Sequence, residues 1–275
     1  MTHEPAPTVA QLLAFYLEAG VDCALADEPV NRLSDADVAP VREPAAPVQR
    51  PSLAALQVAA APKPPAKVEI APDVAIAAAR DAARTAPTLE ALRALMDTFE
   101  GCALKSTATR LVFADGNPQA RVMLVGEAPG REEDIEGLPF VGRSGKLLDR
   151  MLAAIGLDRS TVYIANVIPW RPPGNRTPTP QETQTCLPFI QRHIELVNPD
   201  ILVTLGNPSK QTLLQTKDGI MKSRGRWVDY DTGTRTIRAI ASFHPAYLLR
   251  QPSYKRLAWQ DLRAIAVALA EPKPV

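Results

Sequence analysis

The chain has 275 residues, 46% of them hydrophobic and 22% charged, enough apolar material for one large domain or a domain with an appendage. A net charge of +1 excludes a globally basic protein, so any nucleic-acid binding must come from a local basic face. Three widely spaced cysteines do not make a disulfide framework, no apolar run approaches the roughly 20 residues of a membrane span, and the start Met1-Thr2-His3-Glu4-Pro5 lacks a signal-peptide pattern; the expectation is a reduced, cytoplasmic protein with no membrane segment.

In chain order, Thr8 to Gly20 predicts a short amphipathic helix within an N-terminal helical segment, residues 1–38. Thr8 caps it, Gln11 completes a capping box, and Val9, Leu12, Leu13, Tyr16 and Leu17 form one stripe. Residues 39–72 are rich in proline and alanine with almost no aromatic content, which predicts a disordered linker. Neither segment carries convergent polar groups; both suit docking to the main domain or to a protein partner.

The folded domain is expected over residues 73–275. Helical patterning starts after Asp73, breaks at Pro87 and resumes from Thr88 through Leu89, Leu92, Leu95, Met96 and Phe99 to Gly101. Apolar strand-like runs at 122–125, 162–167, 201–205 and 236–241 then alternate with helical segments at 146–155, 180–197 and 255–269. This alternation predicts an α/β fold with a central, mostly parallel four-stranded sheet covered on both faces. Such sheets collect functional residues at the carboxyl ends of their strands, here Glu127 to Asp134, Asn166 to Asn175, Gly206-Asn207 and Ser242 to Pro245.

The first of these stretches, Gly126-Glu127-Ala128-Pro129-Gly130-Arg131-Glu132-Glu133-Asp134, places three successive acids where a helix begins. They are a solvated helix start or part of a catalytic constellation. Gly142-Arg143-Ser144-Gly145-Lys146 lacks the first glycine and the Ser/Thr of a phosphate loop, which excludes a nucleoside triphosphatase. Its turn remains either structural or a grip for one phosphate. Arg171 to Pro180 is too proline-rich for helix or central strand and reads as a stiff loop. Asn166 is a turn former or a reader of a base edge, since an amide donates and accepts at once. His244, on a proline-rigidified loop at a strand end, is a functional candidate. Leu248 and Leu249 are odd for a solvent-facing tip, and Arg250, Lys255 and Arg256 beside them suit phosphates. No Gly-x-Ser-x-Gly elbow exists for an α/β hydrolase.

Five ordered motifs together resemble family 4 uracil-DNA glycosylases: Gly126 to Gly130 with Glu133-Asp134, Leu138 to Gly142, Tyr163 to Val167, Arg171 to Arg176, and His244-Pro245. The resemblance covers about Phe99 to Leu269. It implies a three-layer α/β/α sandwich, a monomer acting on uracil-containing DNA, and hydrolysis of the bond between uracil and deoxyribose, with base flipping. A relative that recognises uracil or damaged DNA without turnover is the second reading. By motif position, the resemblance assigns Phe140 as the ring against uracil and Asn166 as the edge reader. Ala128, Pro129 and Gly130 become substrate contacts, and Leu248 the wedge. Ser144, Gly145, Lys146, Arg176 and Arg250 become DNA contacts. Glu133 is the first candidate to orient water, with Glu127 and Asp134 behind it, and His244 donates to a uracil oxygen. Asn175 stands where a related branch carries a histidine nucleophile; an amide there predicts ordinary turnover without a covalent adduct.

Family 4 members hold an iron-sulfur cluster with four cysteines. The matching positions here are Phe99, Cys102, Trp170 and Cys186, and Cys23 lies outside the domain. Phenylalanine and tryptophan do not ligate iron, so no metal centre or other cofactor is expected, with Phe99 and Trp170 filling the volume instead.

Overall fold

A computed structural model describes residues 72–271; the predicted helix at Thr8–Gly20 and the linker up to residue 71 lie outside the described residues. The elements run α1 (Pro72–Thr85), α2 (Leu89–Thr98), β1 (Asp115–Gly116), β2 (Val122–Gly126), α3 (Arg131–Glu136), α4 (Arg143–Ala153) and β3 (Val162–Asn166). They continue with α5 (Pro180–Val197), β4 (Ile201–Leu205), α6 (Asn207–Leu214), α7 (Ile220–Ser223), β5 (Trp227–Asp231), β6 (Thr236–Ser242), α8 (Pro245–Arg250) and α9 (Lys255–Ala270).

Helix starts follow their capping chemistry. The Thr88 hydroxyl accepts the Ala91 N–H at 3.2 Å to open α2. Thr179 and Glu182 form a reciprocal box at α5, hydroxyl to the Glu182 amide at 3.2 Å and carboxylate to the Thr179 amide at 2.7 Å. Asn198, with φ of 50°, ends that helix in the left-handed conformation that asparagine tolerates.

The sheet has the order β1-β3-β2-β4-β6-β5. The four strands expected from apolar runs form its parallel centre, and antiparallel edges β1 and β5 bring the total to six. The edges escaped the pattern for physical reasons. β1 is two residues long, and β5 buries only Tyr230 among its five, with Asp229 and Asp231 marking a wet edge.

Every residue of β2, β3 and β4 is buried, and alternation sends successive side chains to opposite layers. Met123, Val125, Tyr163, Ala165 and Leu202 pack with Cys186, Ile190 and Ile194 of α5. Val122, Leu124, Val162, Ile164, Ile201 and Val203 pack with Leu148 and Leu152 of α4 and with Ile265 of α9. The result is a three-layer α/β/α sandwich. Parallel register sets Gly126 opposite Asn166 and Leu205 opposite Ser242, so the four central strands end at one edge.

Candidate active site

A cavity of about 980 Å³ opens at that edge, and each central strand contributes to its wall: Glu127 after β2, Asn166 at the end of β3, Gly206 after β4 and His244 after β6. A Cβ on Gly126 would stand 2.4 Å from Asn166 Oδ1 and 2.7 Å from Phe140 Cζ; glycine is what lets these two side chains meet over the strand end. Asn166 is buried, and its Oδ1 has no hydrogen-bond partner. A buried acceptor left unpaired costs about 1–3 kcal/mol, which a ligand donor would recover.

Phe140 is held in a backbone conformation that side chains avoid, φ of 56°. Arg159 grips this turn from behind. Its guanidinium donates to the Pro139 carbonyl at 3.1 Å and to the Phe140 carbonyl, and is itself held by Asp115 at 2.6 Å and Asp149 at 2.8 Å. Nothing in the local sequence Asp158-Arg159-Ser160 marks this role, because the partners lie on β1, on α4 and in the turn at Pro139-Phe140. Gly145 belongs to the same device: a Cβ there would overlap the Phe140 carbonyl oxygen. Gly145 is therefore buried packing in the first turn of α4. Ser144 lines the cavity, and Lys146 is exposed on α4.

The acids separate by environment. Glu133 reaches back to the Gly130 amide at 3.0 Å and across to the amides of Val141 and Gly142, both at 3.2 Å, so its carboxylate ties the start of α3 to the turn after Phe140. Asp134 is buried and accepts from the Thr109 amide at 2.7 Å, the Thr109 hydroxyl at 2.9 Å and the Arg110 amide at 3.2 Å. Its other neighbour is Arg171, at 3.8 Å. Arg171 in turn donates to Asn175 Oδ1 at 2.7 Å, which leaves the Asn175 amide NH₂ free on the cavity wall. Glu127 and Glu132 line the cavity without a side-chain partner; Glu132 is exposed, whereas Glu127 is half-buried and burial raises its pKa. Ala128, Pro129 and Gly130 border it.

His244 caps α8: its Nδ1 accepts the Ala246 N–H at 3.1 Å. A neutral ring in that bond carries its proton on Nε2. Burial, with Arg250 nearby, lowers the pKa to about 4, so the ring is neutral at pH 7. It stacks beside Phe140 with centroids 5.3 Å apart.

The segment after His244 is helix α8 where a rigid loop was expected, and the helix separates the two leucines. Side chains turn about 100° per helical residue. Leu248 consequently faces inward among Met151, Phe243 and Leu262, 1% exposed, while Leu249 is 38% exposed on the cavity rim with Arg250. Pro245 at the first helical position was the available signal. Arg176 reaches the same cavity but is held bidentate by Glu182, at 2.8 and 2.6 Å.

The four cluster-matching positions also meet, away from the cavity. Cys102 and Cys186 are buried with Sγ atoms 3.9 Å apart, Trp170 is 1% exposed in the same apolar group, and Phe99 packs against it. Two thiols, an indole and a phenyl ring do not make a four-thiolate donor set. Among the described residues no group of three or more His, Cys, Asp or Glu is placed to hold a metal ion.

Comparison with known proteins agrees with this geometry. The model of the Uracil DNA glycosylase superfamily matches residues 113–263. The chain is 38% identical over 177 residues to the type-4 uracil-DNA glycosylase of Archaeoglobus fulgidus, covering 63% of this chain and 89% of that protein. For the Thermotoga maritima type-4 enzyme the identity is 43% over 164 residues, 58% and 84% of the two chains. For that of Sulfurisphaera tokodaii it is 36% over 191 residues, 68% and 87%. A match over more than half the chain, together with relatives covered over most of their length, shows that the chain belongs to the uracil-DNA glycosylase superfamily, in its type-4 branch.

Proposed function

We propose that the protein hydrolyses the N-glycosidic bond of a deoxyuridine flipped out of DNA, releasing uracil and leaving an abasic site for base-excision repair. The observation that carries this reading is the buried, unpartnered Asn166 Oδ1 beside Phe140. Uracil supplies the missing donor at N3–H, the Asn166 NH₂ donates to O4, and the Phe140 ring stacks on the base. As the glycosidic bond breaks, the base takes up negative charge. His244 Nε2–H stabilises it at O2 as a neutral donor, without needing a protonated ring.

The water nucleophile is assigned to Glu127, because its carboxylate has no protein partner and its raised pKa suits proton acceptance. Glu133 and Asp134 become positioning residues: they hold the Gly130 and Phe140 turns and, through Arg171, the Asn175 amide. This reverses the order expected from the sequence. Asn175 presents an amide donor, which fits turnover without a covalent adduct. Ser144, Arg176, Leu249 and Arg250 at the cavity rim are read as DNA contacts.

The chemistry requires no metal in this reading, and Phe99 and Trp170 are read as replacing the iron-sulfur cluster of the type-4 branch by apolar packing. Purified protein should lack stoichiometric iron and keep its activity after chelation; a visible thiolate-to-iron absorption band with matching iron content would overturn that part. For the activity, the test is alkali-sensitive cleavage of a uracil-containing oligonucleotide. Cleavage is the expected result. Binding that persists with no cleavage would make the chain a damage-recognition protein instead.

A further inference from the structure

Two buried charged residues take no part in the reaction described above, and both hold one surface segment. Lys210 is fully buried, and its ammonium donates to the Asp218 carbonyl and to the Ser223 hydroxyl, the latter at 3.4 Å. Asp261 is 1% exposed and receives the Arg224 guanidinium through Nε at 3.0 Å and through Nη2, together with the Ser242 hydroxyl at 2.8 Å. Arg224 also donates to the Leu257 carbonyl at 2.7 Å, and the Gly225 amide donates to the Ala241 carbonyl at 3.0 Å. Burying charge is costly, and these charges fix residues 218–225 against α6, β6 and α9.

What the fixed segment displays is basic and apolar. Lys217, Lys222 and Arg226 are exposed, Met221 is 52% exposed, and Asp218 is the one acid in the segment. Ile220, beside Met221, lines the same cavity as Tyr247, Leu249 and Arg250, so the segment stands at the mouth through which a nucleotide must enter. The chain as a whole is close to neutral, so a local basic rim is where phosphates would be attracted.

We propose that residues 217–226 form a second DNA grip. Lys217, Lys222 and Arg226 take backbone phosphates flanking the extruded nucleotide, and Met221 lies against a neighbouring base. The inference rests on the glycosylase reading for its ligand and adds an arm on the rim, apart from helix α8, which carries Leu249 and Arg250.

The experiment measures binding of the full chain to a fluorescent oligonucleotide containing a tetrahydrofuran abasic analogue, which is not cleaved, across a series of salt concentrations. The triple variant Lys217→Ala/Lys222→Ala/Arg226→Ala should bind about tenfold or more weakly at physiological salt. Its plot of log affinity against log salt should be flatter by about 2, at about 0.7–0.9 per lost phosphate contact. Its kcat at saturating uracil-containing DNA should equal that of the parent, and the Lys217→Arg/Lys222→Arg variant should keep the parental slope. A triple variant with unchanged affinity and slope, or with reduced kcat and unchanged affinity, overturns the grip. If the parent cleaves uracil-containing DNA and the slope does not change, only the grip falls. If the parent neither binds nor cleaves, the glycosylase reading falls with it.

Discussion

The cavity at the strand ends and the corner around Cys102 both draw their side chains from several elements around the sheet, and they end in opposite chemical states. The cavity retains unmet polar groups: Asn166 Oδ1, Asn207 Oδ1 and the Glu127 carboxylate. The corner has two thiols within 3.9 Å and otherwise closes on itself with Phe99 and Trp170. Polar groups left unpaired in a folded protein cost stability and are kept where a ligand completes them. Apolar closure does the reverse: it contributes stability and displays nothing. Substitutions in the cavity should therefore change rates while leaving the fold alone, and substitutions in the corner should change the fold while leaving the chemistry alone.

The largest effect is expected at Glu127, and its neighbour Glu133 should behave differently. Glu127→Gln should lower kcat by about 10²–10⁴-fold, the usual worth of a positioned general base, with no loss of melting temperature. Glu133→Gln should lower melting temperature and kcat together. One amide oxygen cannot serve the three backbone N–H groups that the carboxylate now holds, and each orphaned donor costs about 1–3 kcal/mol. If Glu133→Gln instead abolished turnover with the fold intact while Glu127→Gln stayed active, the two roles would be exchanged.

In the corner, Trp170→Ala should cost about 3–5 kcal/mol in urea unfolding, as for other large buried side chains. The KM for DNA should stay at the parental value. A variant that kept its stability would mean that the indole is not the plug. A raised KM would mean that the corner communicates with the cavity.

The central fold was legible because both signals behind it are local. Apolar runs over 122–125, 162–167, 201–205 and 236–241 give strands buried on both faces, and Thr88 and Thr179 announce their helices. The cavity was half legible. Strand ends could be located from the runs, so the stretch Glu127 to Asp134, Asn166 and His244 could be placed along one edge, with Glu133 ahead of Glu127 among the acids. What a carboxylate does there depends on partners far along the chain: Glu133 meets Val141 and Gly142, and Asp134 meets Thr109. No spacing rule reports that. Leu248 and Leu249 differ by a single helical step, so reading their segment as a loop removed the only information that separates them.

Acid should destabilise the fold by about 2 kcal/mol per buried histidine. His193 is buried, hydrogen-bonded to Tyr163 at 2.8 Å, and burial lowers its pKa to about 3; His244 in the cavity is lowered to about 4. An unfolded histidine titrates near 6.5, so between pH 6.5 and 4 the unfolded chain binds protons that the folded chain refuses. Stability is therefore full above pH 6.5 and declines as pH falls, by about 2 kcal/mol per histidine at pH 5 relative to pH 8. Melting temperature against pH should show this, with a shallower decline in His193→Gln. Activity should follow a different group. The acid limb of kcat/KM should shift upward from that of an unperturbed glutamate, because Glu127 is raised by burial, and His244 should add no ionisation between pH 5 and 8. A limb that persisted in the residual activity of Glu127→Gln would assign it elsewhere.

The smallest effect is expected at Leu249, one residue beyond the buried Leu248. Leu248→Ala removes a fully buried side chain and should cost about 2–5 kcal/mol of stability, as a residue of the core would. Leu249→Ala should stay within about 0.5 kcal/mol of the parent, since its side chain is more than a third exposed. Its consequence should fall on DNA. An exposed apolar side chain on the rim, next to Arg250, can fill the gap left in a base stack, which calls for a several-fold rise in KM on duplex DNA and a smaller one on single strands, where there is little stacking to replace. Equal rises on both substrates would make Leu249 a general contact, and no rise on either would remove the wedge from α8 and leave Met221 as the exposed apolar side chain beside the cavity.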